Sequence, residues 1–281
     1  MSASTSSPSC AQRRDGWLAR LQLTFAARNG RTVLASRAHS GPLVVQQPFH
    51  PEGKVCHTYV VHPPGGVVAG DELQLEIEAT PGSHALLTTP AAAKFYRSEG
   101  LTAQQTQTLI AEDGTIEWLP QESIFYPAAR VRTITRIELR SRSRFIGWET
   151  ACLGLPARAE SFASGELRMN FELWLEDRPL LLDRLVISGT GRAPLGRWGL
   201  AGYSALGTML AYPATPAALA VVRALEPQAA ELSSTLVDGV LVCRAVSMQA
   251  EPIKRAFVDV WRQLRPLLVH RPAVLPRIWA T

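Results

Sequence analysis

The feature that most constrains the fold of this chain is a strict alternation of apolar and polar side chains over residues 166–175. An alternation with a period of two is typical of a strand with one buried and one solvated face. Residues 73–77 and 137–139 show the same pattern. The connections between such strands are too short for crossover helices, which disfavours a doubly wound parallel sheet. The sequence therefore predicts a mainly β protein whose antiparallel sheets are stacked face to face or wound into a β-solenoid.

The last third of the chain changes character. Thr215 followed by Pro216 is an N-cap and first-turn signature, and it predicts a helix directly afterwards. The dipeptide Asp238-Gly239 separates two short β-prone runs, and it is a strong signal for a two-residue hairpin. A small helical part is thus expected in the C-terminal third, next to a further pair of strands.

A stripe of apolar side chains predicts a second helix near the C-terminus. Its members recur at helical spacing and are Ile253, Phe257, Val260, Trp261 and Leu264. Such a stripe is more typical of a helix packed on a core than of a cofactor site. Pro266 is expected to end this helix, because proline lacks the backbone N–H that the next turn needs.

Composition and length restrict the class of protein. The chain has 281 residues, of which 46% are hydrophobic and 19% charged, so disordered and collagen-like architectures are excluded. Residues 1–15 are Ser-rich and lack an apolar signal core, so we expect a disordered lead-in before a single β domain over residues 16–281 that includes the C-terminal helices. Zinc-finger spacing is absent, since the cysteines lie far apart at Cys10, Cys56, Cys152 and Cys243.

Several functional classes are disfavoured. The formal net charge is +5, but the basic residues are scattered, so nucleic-acid binding has little support. The phosphate-loop, dinucleotide and nucleophile-elbow motifs are all missing. No apolar run is long enough to span a bilayer. We therefore expect a cytoplasmic protein with reduced cysteines, without a membrane or nucleic-acid partner.

The most distinctive local segment is a turn that follows an apolar strand ending at His62. Two prolines stiffen its entry and two glycines permit positive φ, in the run Pro63-Pro64-Gly65-Gly66. Asp71 and Glu72 follow shortly afterwards, so two carboxylates are expected at a sharply shaped corner. His57 and His62 are expected on opposite faces of the strand, which argues against a metal site formed by these two histidines.

Dispersed carboxylates are the remaining chemical signal. Those near Gly, Pro or aromatic corners are Asp71, Glu72, Glu122, Glu149 and Asp183. Asp183 interrupts an apolar run, so it needs a partner such as Arg184 or another neighbour, or a wet cavity. Oxygen ligands of this kind suit weak, exchangeable binding of a divalent cation. The alternative is a β-sheet hydrolase in which two carboxylates, such as Asp71 and Glu149, act as acid and base.

Seven short segments carry a family resemblance through their order and spacing. They are Gly30-Arg31-Thr32-Val33-Leu34, Gly41-Pro42-Leu43, Pro48-Phe49, His62 to Gly66 with Gly70-Asp71, Lys94-Phe95-Tyr96-Arg97, Trp118-Leu119-Pro120-Gln121, and Leu275-Pro276-Arg277-Ile278-Trp279. Together they resemble the family of urease accessory protein UreD, also called UreH, from Trp17 to Thr281. The resemblance implies two stacked antiparallel sheets in a β-helix-like arrangement with a small C-terminal helical part.

The resemblance also implies a function. UreD-like proteins are not enzymes. They are chaperones that bind the urease apoprotein and UreF, and through UreF the GTPase UreG that delivers nickel. Nickel is then expected only in transit, without a tightly bound cofactor, and a metal conduit needs oxygen ligands that hold an ion weakly enough to release it.

The family pattern also assigns candidate roles to individual residues. The acids that match polar positions of the family's proposed nickel passage are Asp71, Glu72, Glu149 and Asp183. Trp261 and Trp279 are expected on the surface that faces UreF, in line with the enrichment of aromatic residues at interfaces.

Overall fold

The computed structural model describes residues 16–280. The predicted lead-in, residues 1–15, therefore lies outside the described residues, and so do Cys10 and Thr281. Two β-sheets and a long C-terminal helix make up the described chain, which confirms the mainly β, two-sheet prediction.

Seventeen strands and two α-helices are formed within the described residues. The strands are β1 (Leu18–Arg28), β2 (Arg31–Ser40), β3 (Val44–Val45), β4 (Cys56–Val61), β5 (Glu72–Ala79), β6 (His84–Thr88), β7 (Ala93–Phe95), β8 (Ala103–Ala111), β9 (Thr115–Trp118), β10 (Ser123–Phe125), β11 (Arg130–Leu139), β12 (Arg144–Leu153), β13 (Glu166–Leu175), β14 (Arg178–Ser188), β15 (Ala205–Tyr212), β16 (Glu231–Val237) and β17 (Val240–Ser247). The helices are α1 (Pro216–Arg223) and α2 (Ala250–Val269), with short 3-10 turns at Pro156–Arg158 and Arg277–Ala280.

The strands divide into two layers. The first sheet has the spatial order β14-β13-β11-β8-β5-β1-β2. The second has the order β16-β17-β15-β12-β9-β6-β4-β3, and the short strands β7 and β10 pair with each other beside β12. Within β13 the residues predicted to face the core do so, since Leu167, Phe171 and Leu173 are buried.

Strand direction differs from the prediction. Parallel pairing joins β1, β5, β8, β11 and β13 in the first sheet, and β4, β6, β9 and β12 in the second. Antiparallel pairs occur at the flanks, such as β1 with β2, β13 with β14 and β12 with β15. The prediction of antiparallel sheets is therefore wrong for the central strands. The prediction assumed that parallel strands need a helix to connect them. Here strands of the opposite sheet connect them instead, so short loops are sufficient.

Two hydrophobic cores hold the layers together. The first lies between the sheets and includes Phe25, Phe95 and Phe125, of which the last two rings stack at 5.0 Å. The second includes Trp148 and Phe257 and lies between the second sheet and α2. Because both faces of the second sheet are covered, every residue of β6 and β9 is buried.

The predicted helix start and hairpin are confirmed. The side chain of Thr215 accepts a hydrogen bond from the Ala218 N–H at 3.3 Å, which caps α1. Asp238 and Gly239 have φ of 48° and 77°, and they connect β16 to β17. A turn with positive φ at both central residues matches the right-handed twist of the two strands.

Helix α2 carries the predicted apolar stripe but extends beyond the predicted end. The five stripe residues are all fully buried. Pro266 lies inside the helix, which continues to Val269 and ends at His270 with φ of 55°. The expected stop at Pro266 is therefore wrong. Burial of Leu268 and Val269 in the second core offsets the loss of one backbone hydrogen bond at the proline.

Among residues 16–280, no helix combines the length and the apolar character needed to cross a lipid bilayer.

Candidate functional site

A cavity of about 300 Å³ lies between the sheets, next to a smaller one. Its lining includes His62 and Thr89, which directly follow β4 and β6, and Pro120, the second residue after β9. Most of its wall is apolar, and Gln105 and Gln107 contribute amide groups from β8. The Pro-rich turn singled out in the sequence thus forms part of a cavity wall.

Three buried polar atoms at this cavity have no protein partner. The Trp118 Nε1, Thr133 Oγ1 and Thr150 Oγ1 atoms make no hydrogen bond to any residue in the described part of the chain. All three residues line the larger cavity. An unsatisfied buried donor or acceptor costs about 1–3 kcal/mol. The cavity is therefore suited to water or a hydrated ion that supplies the missing partners.

The smaller cavity, of about 30 Å³, adjoins the larger one and shares part of its wall. Glu149 and Met169 line both cavities, so they stand where the two meet. Asp183 and Thr208 line only the smaller one. The Glu149 carboxylate thus lies in the wall shared by the two cavities, and the Asp183 carboxylate lies in the wall of the smaller one.

Glu149, on β12, is the most perturbed acid of this site. Burial raises its pKa from 4.5 to about 7, and the charge of Asp183 acts in the same direction, while a hydrogen bond with Thr135 opposes both. The Thr135 hydroxyl is within hydrogen-bond distance of both Glu149 and Gln107. A hydroxyl has one proton, so Thr135 can donate to only one of these two acceptor oxygens at a time.

Asp183, on edge strand β14, lies nearer the surface. Its side chain is 21% exposed and pairs with Arg244 of β17, with 2.9 Å between Arg244 Nη2 and Asp183 Oδ1. The Thr208 hydroxyl lies 3.5 Å from the other carboxylate oxygen. The sequence suggested Arg184, another neighbour or a wet cavity as the surroundings of Asp183. The structure shows Arg244 and a cavity, whereas Arg184 is exposed.

The two acids predicted after the Gly-rich turn do not join this site. Each Asp71 carboxylate oxygen accepts a backbone N–H at 2.9 Å, one from Trp17 and one from Val68. Glu72 accepts a hydrogen bond from Gln74 at 2.6 Å. Neither acid lines either cavity. The structure therefore places Glu149 and Asp183 on the same cavity. Asp71 instead stabilises the turn, because both of its carboxylate oxygens accept hydrogen bonds from backbone N–H groups.

Of the two tryptophans predicted to face a partner, Trp261 is buried inside and Trp279 is half-buried. Trp261 is fully buried in the second core, and its Nε1 donates to Glu117 at 2.6 Å. Trp279 is half-buried, packs against Trp148 and Trp261, and donates to Thr88 at 3.0 Å. The ring of Trp261 therefore does not lie on a surface that a partner can contact, because the apolar stripe of α2 faces the sheet.

Sequence reasoning missed the hydroxyl and amide groups of the cavity wall. Thr133 and Thr135 occupy core-facing positions of β11, where the alternation predicts apolar side chains. Hydroxyls at consecutive inward positions of one strand were the available signal. Within residues 16–280, His, Cys, Asp and Glu side chains do not gather in threes as a metal-holding group. Two carboxylates along a cavity suit a cation that passes rather than one that stays.

Comparison with known proteins places the chain in a family. The family model described as "UreD urease accessory protein" matches residues 18–280. The chain is similar to proteins named "Urease accessory protein UreD": 44% identity over 272 residues with that of Klebsiella aerogenes, covering 95% of this chain and 98% of the relative. The corresponding protein of Pseudomonas putida (strain W619) is 46% identical over 268 residues, covering 95% of both chains. That of Escherichia coli is 41% identical over 274 residues, covering 95% of this chain and 98% of the relative.

The family decides between the two functional hypotheses. Its members are accessory proteins and not enzymes, which confirms that assignment. The hydrolase alternative is wrong, and the geometry agrees, because Asp71 and Glu149 do not share a cavity. The chain belongs to the UreD family of urease accessory proteins.

Proposed function

We propose that this chain is a chaperone of urease maturation that binds the urease apoprotein and guides nickel toward the urease active site. In this proposal nickel is cargo, and it passes through the interior between the two sheets. UreF binds the chain directly, and the GTPase UreG acts through UreF, as the family resemblance implies. The whole assembly works in the cytoplasm.

The observation that carries the proposal is the meeting of two cavities at Glu149. A cavity of about 300 Å³ with unpartnered hydroxyl and indole groups adjoins one of about 30 Å³, with the Glu149 carboxylate in the wall that they share and the Asp183 carboxylate in the wall of the smaller one. Oxygen donors at two successive positions can pass a divalent cation from one to the next without trapping it. The absence of a three-ligand group in the described chain fits a route rather than a storage site.

The experiment that tests the function compares urease made with and without this chain. Urease is expressed together with its other accessory proteins under limiting nickel, and its nickel content and activity are measured. We expect apo-urease without the chain and nickel-loaded urease when the chain is restored. Full loading in its absence would show that maturation does not depend on it.

A further inference from the structure

The loop over residues 189–204, which follows edge strand β14 and which we call the Trp198 loop, exposes two large apolar side chains. Leu195 is 79% exposed and Trp198 is 76% exposed, the highest values among the large apolar side chains of the described residues. Single exposed apolar side chains are common and carry little meaning. Two such residues three positions apart on one loop call for a further look at how the loop is held.

The Trp198 loop is folded and anchored. Its backbone is closed by hydrogen bonds from Gly196 to Arg192, from Leu200 to Ala193 and from Gly202 to Pro194, each at 2.8 Å. A Cβ atom at Gly199 would lie 2.2 Å from the Ala193 carbonyl oxygen, so glycine is required where the two arms of the loop meet. Leu200 is buried in the first core. The two exposed side chains are thus presented by an ordered segment, which lowers the entropic cost of binding a partner.

The charged residues of the loop and of the strand end that precedes it are all basic. Residues 184–204 contain Arg184, Arg192 and Arg197 and no Asp or Glu. None of these arginines has an ion-pair partner within the part of the chain that the structure describes, whereas Arg168 and Arg178 nearby each have a carboxylate partner. Trp and Arg are the residue types most enriched among those that dominate binding energies at protein interfaces.

The loop also follows β14, the strand that carries Asp183 of the smaller cavity. Asp183, which lines the smaller cavity, directly precedes Arg184 on β14. Val186 of the same edge strand is 57% exposed, two residues before β14 ends and the chain enters the loop. The loop therefore begins at the end of the strand that carries a carboxylate of the smaller cavity.

We infer that Leu195 and Trp198, together with Arg192 and Arg197 of the same loop, form a docking surface for a protein partner that presents an apolar recess bordered by Asp and Glu side chains. This inference rests on the proposed function, since the partner is then a component of the urease maturation machinery. The unpaired arginines select an acidic partner, and the two apolar side chains supply the buried centre of the contact.

The test measures binding of the purified full-length chain to purified apo-urease and, separately, to purified UreF. The variants are Trp198→Ala and the pair Arg192→Glu with Arg197→Glu. The matched controls are Trp17→Ala, which removes a tryptophan that is 65% exposed elsewhere, and Arg37→Glu, which reverses an exposed arginine on β2. We expect Trp198→Ala and the charge reversal to weaken binding to one of the two proteins by about tenfold or more, the size typical of a central interface residue. The controls should stay within about twofold, as typical surface substitutions do.

Three outcomes overturn the inference in distinguishable ways. If the wild-type chain binds a partner and both loop variants bind it equally well, the docking surface is wrong while the proposed function stands. If the wild-type chain binds neither protein, the proposed function fails and this assignment fails with it. If Trp198→Ala instead converts a dimer of the chain to a monomer in sedimentation experiments, without changing partner binding, a second copy occupies the surface.

Discussion

Glu117 on β9 and Arg265 on α2 form an ion pair in which both side chains are fully buried, with 3.1 Å between Arg265 Nε and Glu117 Oε2. The pair belongs to a larger network. Glu117 also bonds His84 at 2.6 Å, and Arg265 Nη2 donates to Glu52 at 2.7 Å, while Glu52 in turn bonds His57 at 2.7 Å. The network joins the C-terminal helix to the second sheet, in addition to the apolar contacts of the second core.

Removing one member of the buried pair is expected to destabilise the fold strongly. Glu117→Gln leaves Arg265 its ion pair with Glu52, and Arg265→Met leaves Glu117 its bonds with His84 and Trp261, so each should cost up to about 3–5 kcal/mol of unfolding free energy. The double variant should lose less unfolding free energy than the sum of the losses of the two single variants. Urea denaturation measures the unfolding free energy of all three variants. The control is Glu138→Gln, which breaks an exposed pair with Arg136 and should cost about 0–1 kcal/mol.

The same network predicts a loss of stability in acid. Burial by itself would raise the pKa of Glu117, but the hydrogen bond and charge of His84 and the charge of Arg265 outweigh it and lower the pKa from 4.5 to about 2. Because the folded-state value is lower, this stabilisation is present above pH 4.5 and is lost as the pH falls toward about 2. The stability gap between wild type and Glu117→Gln should therefore shrink over that interval. A gap that stays constant would contradict the role of Glu117.

For Glu149 we expect the opposite dependence of stability on pH. Its pKa is raised to about 7, so the folded state holds a proton that the unfolded chain has already released. Stability should then fall as the pH rises from about 4.5 to about 7. Glu149→Gln lacks this ionisation, and so its stability relative to wild type should increase over the same range. Urea denaturation in metal-free buffer at the two ends of the range measures the difference, and parallel curves would argue against a raised pKa.

We expect Asp71 to contribute to the stability of the fold and not to the transfer of nickel. Asp71→Ala removes the acceptor of two backbone N–H groups, from Trp17 and Val68, and should cost about 1–3 kcal/mol. Asp71→Asn keeps one acceptor oxygen and should lose less. Urease matured with either folded variant should contain as much nickel as with wild type. A nickel deficit in a variant that unfolds at the wild-type denaturant concentration would place Asp71 on the route after all.

Much of the fold could be predicted from local patterns. The alternation over residues 166–175 coincides with β13, and the Thr215–Pro216 and Asp238–Gly239 signals mark a helix start and a hairpin that are both present. Strand direction could not be predicted, since alternation is the same in parallel and antiparallel strands. The tertiary burial that carries α2 past Pro266 is likewise invisible in local sequence.

The site was predicted only in part. Asp183 and Glu149 were recognisable as acids at corners of the β framework, and both line a cavity. Asp71 had the same appearance in sequence, but its surroundings supply backbone donors instead of space. The buried network was missed although signals existed. Glu117 is the one charged residue of the short strand β9, and Arg265 follows Trp261 by four residues on the buried stripe of α2.

The most direct measurement of the proposed passage is the nickel content of urease matured under limiting nickel with Glu149→Gln, Asp183→Asn or both. The matched control is Glu172→Gln, which removes a carboxylate from the outer face of β13, beside the passage but not on it. All variants are first shown to be folded and to bind apo-urease as well as wild type does. We predict that nickel content falls with either passage variant, falls further with both, and stays at the wild-type level with Glu172→Gln. Wild-type nickel content with the double variant would contradict the claim that nickel travels past these two carboxylates.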